Sequence, residues 1–410
     1  MSSPIVVGID IGTTKVCTVV ARVEQDGRVR VLGVGIEPSQ GVRKGTVVDI
    51  NAATRAIGHS IDKAERSSGL EITSALVSVA GSHIQSQNNR GAVGIAGHVI
   101  SHQDVTRAIE VARAVPVPHN REVIHVIQRN FNVDGQEGIA IPVGMHGYRL
   151  EVEAHIITAA ASTVENLRQC VAESNVAVSQ FVLNPLASAE AVLTPTERDM
   201  GVVVCDIGGG TTDMAILIEG EVWHTMVLSV GGNHITSDIA HGLRIPFSQA
   251  EDIKIRYGHC VPAEVEAGET FAVKAFGDEK QIEINRHEMA EIIEARVEEI
   301  FNLMQQEIKR SGYDGLLPAG LVLTGGASTL RGMSELASRV MGMPVRIGKP
   351  EKLTGMVDKL QSPAFATSVG LLRWAVMMSE VVPQKESQNG HAKTGFDWQK
   401  LKEIAGRFLP

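Results

Sequence analysis

Cysteine and aromatic residues are scarce in this sequence. Its 410 residues include 4 cysteines, and tryptophan, tyrosine and phenylalanine together make up 4%. Cys17, Cys170, Cys205 and Cys260 lie far apart, with no CxxC pair and no histidine-rich partner spacing, which excludes a disulfide framework and a structural zinc site. No apolar run approaches the ~18 residues that a membrane-spanning helix needs. There is no basic excess either: the formal net charge is −9, which argues against nonspecific nucleic-acid binding. The GxxxxGK[ST] phosphate loop is missing, and no glycine fingerprint leads from a strand into a helix as a dinucleotide site requires. Met1-Ser2-Ser3-Pro4 runs directly into an apolar strand, so no secretory leader and a cytoplasmic setting with reduced cysteines are expected.

What is present is a duplicated device. Val6 to Lys15 (VVGIDIGTTK) and Val203 to Asp213 (VVCDIGGGTTD) each bring an apolar strand to an aspartate and then to a Gly/Thr turn. Each then continues as a meander. Val16 to Val23, a turn at Asp26-Gly27 and Val29 to Val34 correspond to Met214 to Ile218, a turn at Glu219-Gly220 and Val222 to Val230. Backbone N–H groups converging in such a turn form an anion cradle, and an aspartate at the strand end can hold a cation beside it. Two cradles facing each other suit a metal-bound polyphosphate. Turn formation alone would explain a single Asp-Gly, but not the repeat of the whole unit.

A chain of this length exceeds one core, and the alternation of elements predicts two α/β lobes. Helices are expected over Ile50 to Arg66, Gln103 to Val115 (started by Ser101), Val164 to Ser174 (capped by Thr163), Asn184 to Leu193, Gly232 to Leu243, Ser248 to Arg256 and His287 to Arg310. Strands are expected at Ser74 to Ala80, Val123 to Ile127, Asn130 to Val133 and Tyr148 to Ala154, with Ala154 to Ala160 returning to the first lobe. Ser82 to His155 reads as an inserted subdomain. On the His287 helix, Met289, Ile292, Ile293, Ile300, Phe301, Met304 and Ile308 form a core stripe with no cofactor implied. Gly320 to Ser328 is an apolar strand breaking into Gly325-Gly326 before an expected helix from Thr329 to Met341, where backbone approaches a flat ligand closely.

The order DIGTTK, DIGGGTTD, LTGGAS resembles the actin/Hsp70/sugar-kinase superfamily of ATP-binding folds. Over essentially its whole length the chain is similar to the FtsA family of bacterial cell-division proteins. Gly33 to Gly45 (GVGIEPSQGVRKG), Ala80 to Ile84 (AGSHI) and Pro142 to Leu150 (PVGMHGYRL) carry that likeness beyond the phosphate loops.

The resemblance implies a two-lobed actin-like fold, ribonuclease H-like in each lobe, with subdomain 1A at residues 1–81 and 156–195, an inserted 1C at 82–155, 2A at 196–231 and 316–382, and 2B at 232–315. It implies ATP with Mg2+ as ligands. Gly12, Thr13, Thr14 and Lys15 would surround the terminal phosphates, opposite Gly208, Gly209, Gly210, Thr211 and Thr212, with Gly232 and Asn233 beside them. Asp10 and Asp206 would stand near the metal, Asp206 also orienting a water for at most slow ATPase activity. Glu251 and Lys254 match ribose positions, although on spacing alone they read as a solvated helical ion pair worth a few tenths of a kcal/mol. Gly325, Gly326 and Ala327 would lie against the nucleoside. The resemblance further implies filament formation, docking of the C-terminal tail of the tubulin-like protein FtsZ on 2B, with Arg296 as a contact, and recruitment of later division proteins through 1C. For Arg296 the alternative is a solvated helix charge.

The last 28 residues carry their own signal. Residues 383–395 are polar, turn-rich and aperiodic, a linker of roughly 20 Å root-mean-square span. Residues 396–410 then form an amphipathic pattern: Trp398, Leu401, Ile404, Ala405, Phe408 and Leu409 fall within an arc of about 140° at 100° per residue. Such a tethered terminus suits an interfacial membrane helix on the cytoplasmic face of the cell membrane, at the division site if the resemblance holds. Lys400, Lys402 and Arg407 against Asp397 and Glu403 leave a charge of only +1, so apolar insertion, not lipid charge, must dominate. The alternative is a terminal helix docked on its own domain or on a partner. Two other functions remain open here: a pilus-assembly adaptor of the PilM type, which generally lacks such a tail, and a small-molecule kinase, for which no acceptor-base motif is present.

Overall fold

The computed structural model describes residues 4–24, 28–274 and 281–379. The turn expected at Asp26-Gly27, the linker over 383–395 and the terminal helix over 396–410, with Trp398, Leu401, Ile404, Phe408 and Leu409, lie outside the described residues.

The first lobe opens with β1 (Ile5–Ile11), β2 (Lys15–Val23) and β3 (Val29–Pro38), an antiparallel meander rich in β-branched residues, in which β2 is buried on both faces and β3 buries alternate residues. A small hairpin of β4 (Val42–Arg43) and β5 (Thr46–Val47) leads to α1 (Ile50–Ser68). That helix starts where Asp49 accepts the N–H of Ala52 and stops at Gly69, left-handed at φ 69°. β6 (Ser74–Val79) then pairs parallel with β1.

The insertion follows as β7 (Gln85–Gly94), α2 (His102–Arg113), β8 (Arg121–Val133), β9 (Gln136–Ile139) and β10 (Arg149–Ala160). Its antiparallel sheet has the order β7-β10-β8-β9. Ser101 and Asp104 form a reciprocal capping box on α2, at the expected start. Three expectations change here. The two strands expected near residues 123–127 and 130–133 are one, because the polar stretch between them stays on β10 through a bulge, with Gln128 paired to Ala154 and pairing resumed at Phe131. The polar strand β7 is missed by hydrophobic patterning altogether. The return over residues 154–160 stays in the insertion's sheet, as the continuation of β10.

α3 (Ala161–Ala172) starts two residues ahead of the expected Thr163 cap, without any side-chain cap. β11 (Ala177–Leu183) joins β6 in parallel, and α4 (Asn184–Val192) and α5 (Pro195–Met200) cross to the second lobe. There β12 (Val202–Ile207), β13 (Thr212–Ile218) and β14 (Glu221–Leu228) repeat the meander. α6 (Gly232–Leu243), α7 (Phe247–Tyr257), a β15 (Thr270–Lys274) and β16 (Gln281–Asn285) hairpin, and α8 (Arg286–Ser311) form its helical part. β17 (Leu321–Thr324), α9 (Met333–Met341) and β18 (Val345–Ile347) complete its sheet. β19 (Leu353–Gly355) and α10 (Ala366–Ser379) end the described chain.

The two main sheets have orders β11-β6-β1-β2-β3-β19 and β18-β17-β12-β13-β14, so the repeated loops sit at equivalent strand ends in equivalent sheets. β19 pairs with β3, and α10 packs on β1, β2 and β6. The C-terminal part of the stretch expected in the second lobe therefore returns to the first. Between the sheets, α4 and α10 cross in a shared core of Leu186, Leu371, Leu372, Trp374, Val204 and Val322. Each such buried apolar side chain contributes roughly 1.5–3 kcal/mol. The insertion also leans on the second lobe. Ser86 Oγ donates to the Thr225 carbonyl at 2.8 Å, His155 Nε2 lies 2.9 Å from Thr225 Oγ1, and the Arg129 guanidinium sits 4.3 Å over the Trp223 ring. All four cysteines are buried and free, and among the described residues no helix is long and apolar enough to cross a membrane.

Candidate functional site

Each repeated turn closes with the same bond. Gly12 N–H donates to the Lys15 carbonyl at 3.0 Å, and Gly208 N–H donates to the Thr211 carbonyl at 2.9 Å. The two turns then press together across the cleft between lobes. A β-carbon on Gly209 would fall 2.2 Å from Thr14 Oγ1, and one on Gly210 would fall 2.6 Å from Thr13 Oγ1 and 3.1 Å from the Lys44 backbone, so the absence of side chains is what lets the loops meet. They frame a cavity of about 430 Å³, the size of a small-molecule pocket.

One end of that cavity is carboxylate. Asp10, Asp206 and Asp213 are 6%, 7% and 1% exposed, and all three line it. Ser78 Oγ and Ser368 Oγ donate to the two oxygens of Asp10, at 3.0 and 2.7 Å. Ser188 Oγ and Thr367 Oγ1 both donate to Asp206 Oδ2, at 2.6 and 2.9 Å. Burial pushes the Asp206 carboxyl up, against the pull of these two hydroxyls, and burial next to Asp206 pushes Asp213 up further. Asp213 Oδ2 accepts from Thr211 Oγ1 at 2.8 Å, while its buried Oδ1 accepts nothing. Lys15 is the nearby cation: its Nζ donates to the Ala364 carbonyl at 2.5 Å and lies 4.6 Å over the Phe365 ring.

Crowded carboxylates with an orphaned oxygen are the environment that a hard divalent cation relieves. No group of three or more His, Cys, Asp or Glu converges into a metal cage among the described residues. That donor set fits magnesium, which keeps much of its water shell and is held by one or two carboxylates together with a ligand's phosphates.

The other end is built on the second lobe. Lys254 is only 6% exposed, and its Nζ donates to Glu251 Oε2 at 2.7 Å, Thr236 Oγ1 at 2.7 Å and the Gly232 carbonyl at 3.2 Å. Burial lowers its pKa, with Glu251 opposing. The pair is thus a hydrogen-bonded unit on the cavity wall, with the lysine buried and Glu251 half-buried, not a solvated helical pair. Gly232 and Asn233 line the same wall. Gly325, Gly326 and Ala327 line the adjoining wall, with Ala327 beside Gly232, followed by Thr329, Leu330 and Arg331. The helix expected from Thr329 begins only at Met333: residues Gly326–Thr329 make a 3-10 turn, and Gly332 at φ 75° breaks the path between them.

The cleft gathers every expected phosphate, metal and nucleoside residue except Thr212. That side chain is fully buried and donates to the Val230 carbonyl at 2.8 Å, because strand alternation turns Thr211 and Asp213 to the cavity and Thr212 away. The same alternation would have found Asp213. Ser188, Thr236, Thr367 and Ser368 had no local signal, since each is a hydroxyl within an ordinary helix. Arg296 lies outside the cleft on α8. Its Nη2 donates to Asp238 Oδ1 at 3.0 Å, its Nε to Asp238 Oδ2, and its Nη1 to Glu299, so it is an engaged ion pair in this structure.

Residues 203–370 match the family model described as cell division protein FtsA, and residues 81–158 match the SHS2 domain inserted in FtsA. The chain is 42% identical over 375 residues to the cell division protein FtsA of Pseudomonas aeruginosa, covering 92% of this chain and 90% of that one. It is 38% identical over 377 residues to that of Escherichia coli K12, covering 90% of each, and 36% identical over 381 residues to that of Bacillus subtilis 168, covering 92% and 85%. Among solved structures, a type IV pilus PilM–PilN biogenesis complex superimposes with a TM-score of 0.64 at 17% identity, covering 90% of this chain and 98% of that one. MreB5 of Spiroplasma citri bound to ADP gives 0.55 at 15% identity, covering 90% and 95%. These likenesses establish the actin-like fold.

Proposed function

The chain belongs to the FtsA family of bacterial cell-division proteins, and from that premise we propose that it is an actin-like ATP-binding protein that polymerises and tethers the FtsZ ring to the cytoplasmic membrane. The observation that carries the nucleotide reading is the pair of Gly/Thr turns meeting over buried carboxylates in one cleft. It is supported by the MreB5 neighbour, whose structure holds ADP.

In this reading Gly12, Thr13, Thr14 and Lys15 bind the terminal phosphates from one side, and Gly208, Gly209, Gly210 and Thr211 from the other. Glu251 and Lys254 hold the ribose, while Gly325, Gly326 and Ala327 cover the nucleoside. Asp10 and Asp206, with Asp213 in the same cavity wall, would hold magnesium; when bound, the ion would neutralise charge on the phosphates. In the same reading Asp206 orients a water, for hydrolysis that is at most slow.

The remaining roles rest on family membership and on sequence pattern. The helical part of the second lobe, residues 232–315, docks the FtsZ tail. An acidic-flanked tail that uses Arg296 has to compete with Asp238 and Glu299. The insertion contacts later division proteins, and residues 396–410 insert into the lipid interface at the division site. Polymerisation multiplies that weak anchor by effective concentration.

Co-sedimentation with anionic liposomes, with and without magnesium-ATP, compares the full chain with one ending at Gly395. Tail-dependent pelleting that rises with nucleotide is expected. Equal pelleting of both chains overturns the tether, and pelleting indifferent to nucleotide overturns its coupling to the cleft.

A further inference from the structure

The two aspartates belong to different lobes, yet neighbouring residues of one helix hold both. Thr367 and Ser368 lie in the first turn of α10, 5% and 0% exposed. Consecutive helical side chains diverge by about 100°, so a helix running between two sheets can serve one with each. Thr367 Oγ1 reaches Asp206, at the end of β12, at 2.9 Å, and Ser368 Oγ reaches Asp10, at the end of β1, at 2.7 Å.

Each carboxylate also receives a second hydroxyl, from Ser78 on β6 for Asp10 and from Ser188 on α4 for Asp206. Ser188 and Thr367 are themselves 2.9 Å apart, which joins the two crossing helices at this point. Both donors to Asp206 fall on Oδ2. Oδ1 faces Gly325, whose β-carbon would fall 2.3 Å from it, and is the oxygen left for a ligand of the cavity. Hydroxyls buried in a helix–helix core cost free energy unless they are bonded. Here their bonds go to the two carboxylates of the cleft.

We propose that Thr367 and Ser368 are positioning residues, and that the first turn of α10 fixes the spacing and aim of Asp206 and Asp10 so that both address one cation only when the lobes are in register. The proposal rests on the nucleotide–magnesium reading of the cleft.

The test titrates magnesium against a fluorescent ATP analogue bound to the full chain, and repeats the nucleotide titration in EDTA. Thr367→Val is expected to raise the half-saturating magnesium concentration about tenfold, the loss of one hydrogen bond to a charged group. Thr367→Ser restores the parent value, and affinity in EDTA stays at the parent value. Ser368→Ala, which only removes an atom and introduces no clash, is expected to shift magnesium dependence in the same direction through Asp10, and decides the matter where Thr367→Val does not fold. Parent-like magnesium titrations in these variants overturn the proposal. So does an equal loss of affinity with and without magnesium, which is the mark of a merely structural role. A parent chain that binds nucleotide with no magnesium dependence overturns the metal reading and this proposal together; one that binds none in either condition overturns the nucleotide reading as well.

Discussion

Gly370 of α10 passes under Ala187 of α4 so closely that a β-carbon at position 370 would sit 1.8 Å from the Ala187 carbonyl oxygen and 2.3 Å from its carbon. Both atoms are backbone and neither can swing aside. The crossing point of the two helices is therefore fixed at van der Waals distance, a few residues from the hydroxyls that hold the aspartates.

Gly370→Ala is expected to force the helices apart. The cost is about 2–4 kcal/mol of overpacking, seen as a lower midpoint in chemical denaturation. Magnesium-dependent nucleotide binding should fall with it. A variant of parent stability would show that the crossing yields easily.

Asp206→Asn removes a charge that burial disfavours. Without nucleotide, the thermal midpoint should rise by about 1–3 °C, or at least not fall, because the fold no longer carries a buried charge whose desolvation the two hydroxyls offset only in part. Magnesium-dependent nucleotide binding should be lost in the same variant. Calorimetry in EDTA and a nucleotide titration in magnesium check the two halves separately.

Glu197 ties α5 to β18. Its carboxylate accepts from Arg346 Nη2 at 2.7 Å and from the Thr194 N–H at 2.8 Å, and Arg346, first among these, brings it down to about 2. A depressed carboxylate stabilises above its unfolded value near 4.5 and loses that contribution as pH falls towards 2. Glu197→Gln should cost about 1–2 kcal/mol at pH 7, after allowance for partial exposure. The gap to the parent should close between about pH 4.5 and 2. A gap that is constant with pH would assign the loss to the cap alone.

His155 sits in the seam between the insertion and the second lobe, with Nδ1 2.6 Å from Asn88 Oδ1 and Nε2 2.9 Å from Thr225 Oγ1. Burial, with smaller contributions from His224, Arg129 and His125, brings it to about 3, so the ring is neutral in the folded protein. The unfolded chain binds this proton from pH 6.5 downwards, so stability should be lost on acidification from about pH 6.5 towards 3, by about 2–3 kcal/mol at pH 4. His155→Asn should flatten that part of the profile in denaturant titrations taken at each pH.

Local chemistry determined much of this protein at the level of sequence. The two Asp-Gly-Thr units, the meanders after them, the caps at Asp49 and Ser101 and the buried stripe of α8 all follow from spacing within a few residues, where turn geometry and side-chain period act directly. The roles of the individual phosphate-facing and nucleoside-facing residues came instead from the family resemblance: on spacing alone Glu251 and Lys254 read as a solvated helical pair. Where local rules were applied too coarsely they misled: one strand was divided in two and the helix after Gly326 was started early, and Thr212 was counted among the cleft residues while Asp213 was left out.

Only the tertiary structure decided the rest. The polar strand β7 is a strand because β10 supplies its hydrogen bonds, and β19 completes a sheet begun more than 300 residues earlier. Ser78, Ser188, Thr367 and Ser368 carry no sign of function where they stand in the chain. They meet Asp10 and Asp206 because two repeated sheets pack around two crossing helices, and a buried hydroxyl takes the nearest acceptor, whatever its distance in sequence.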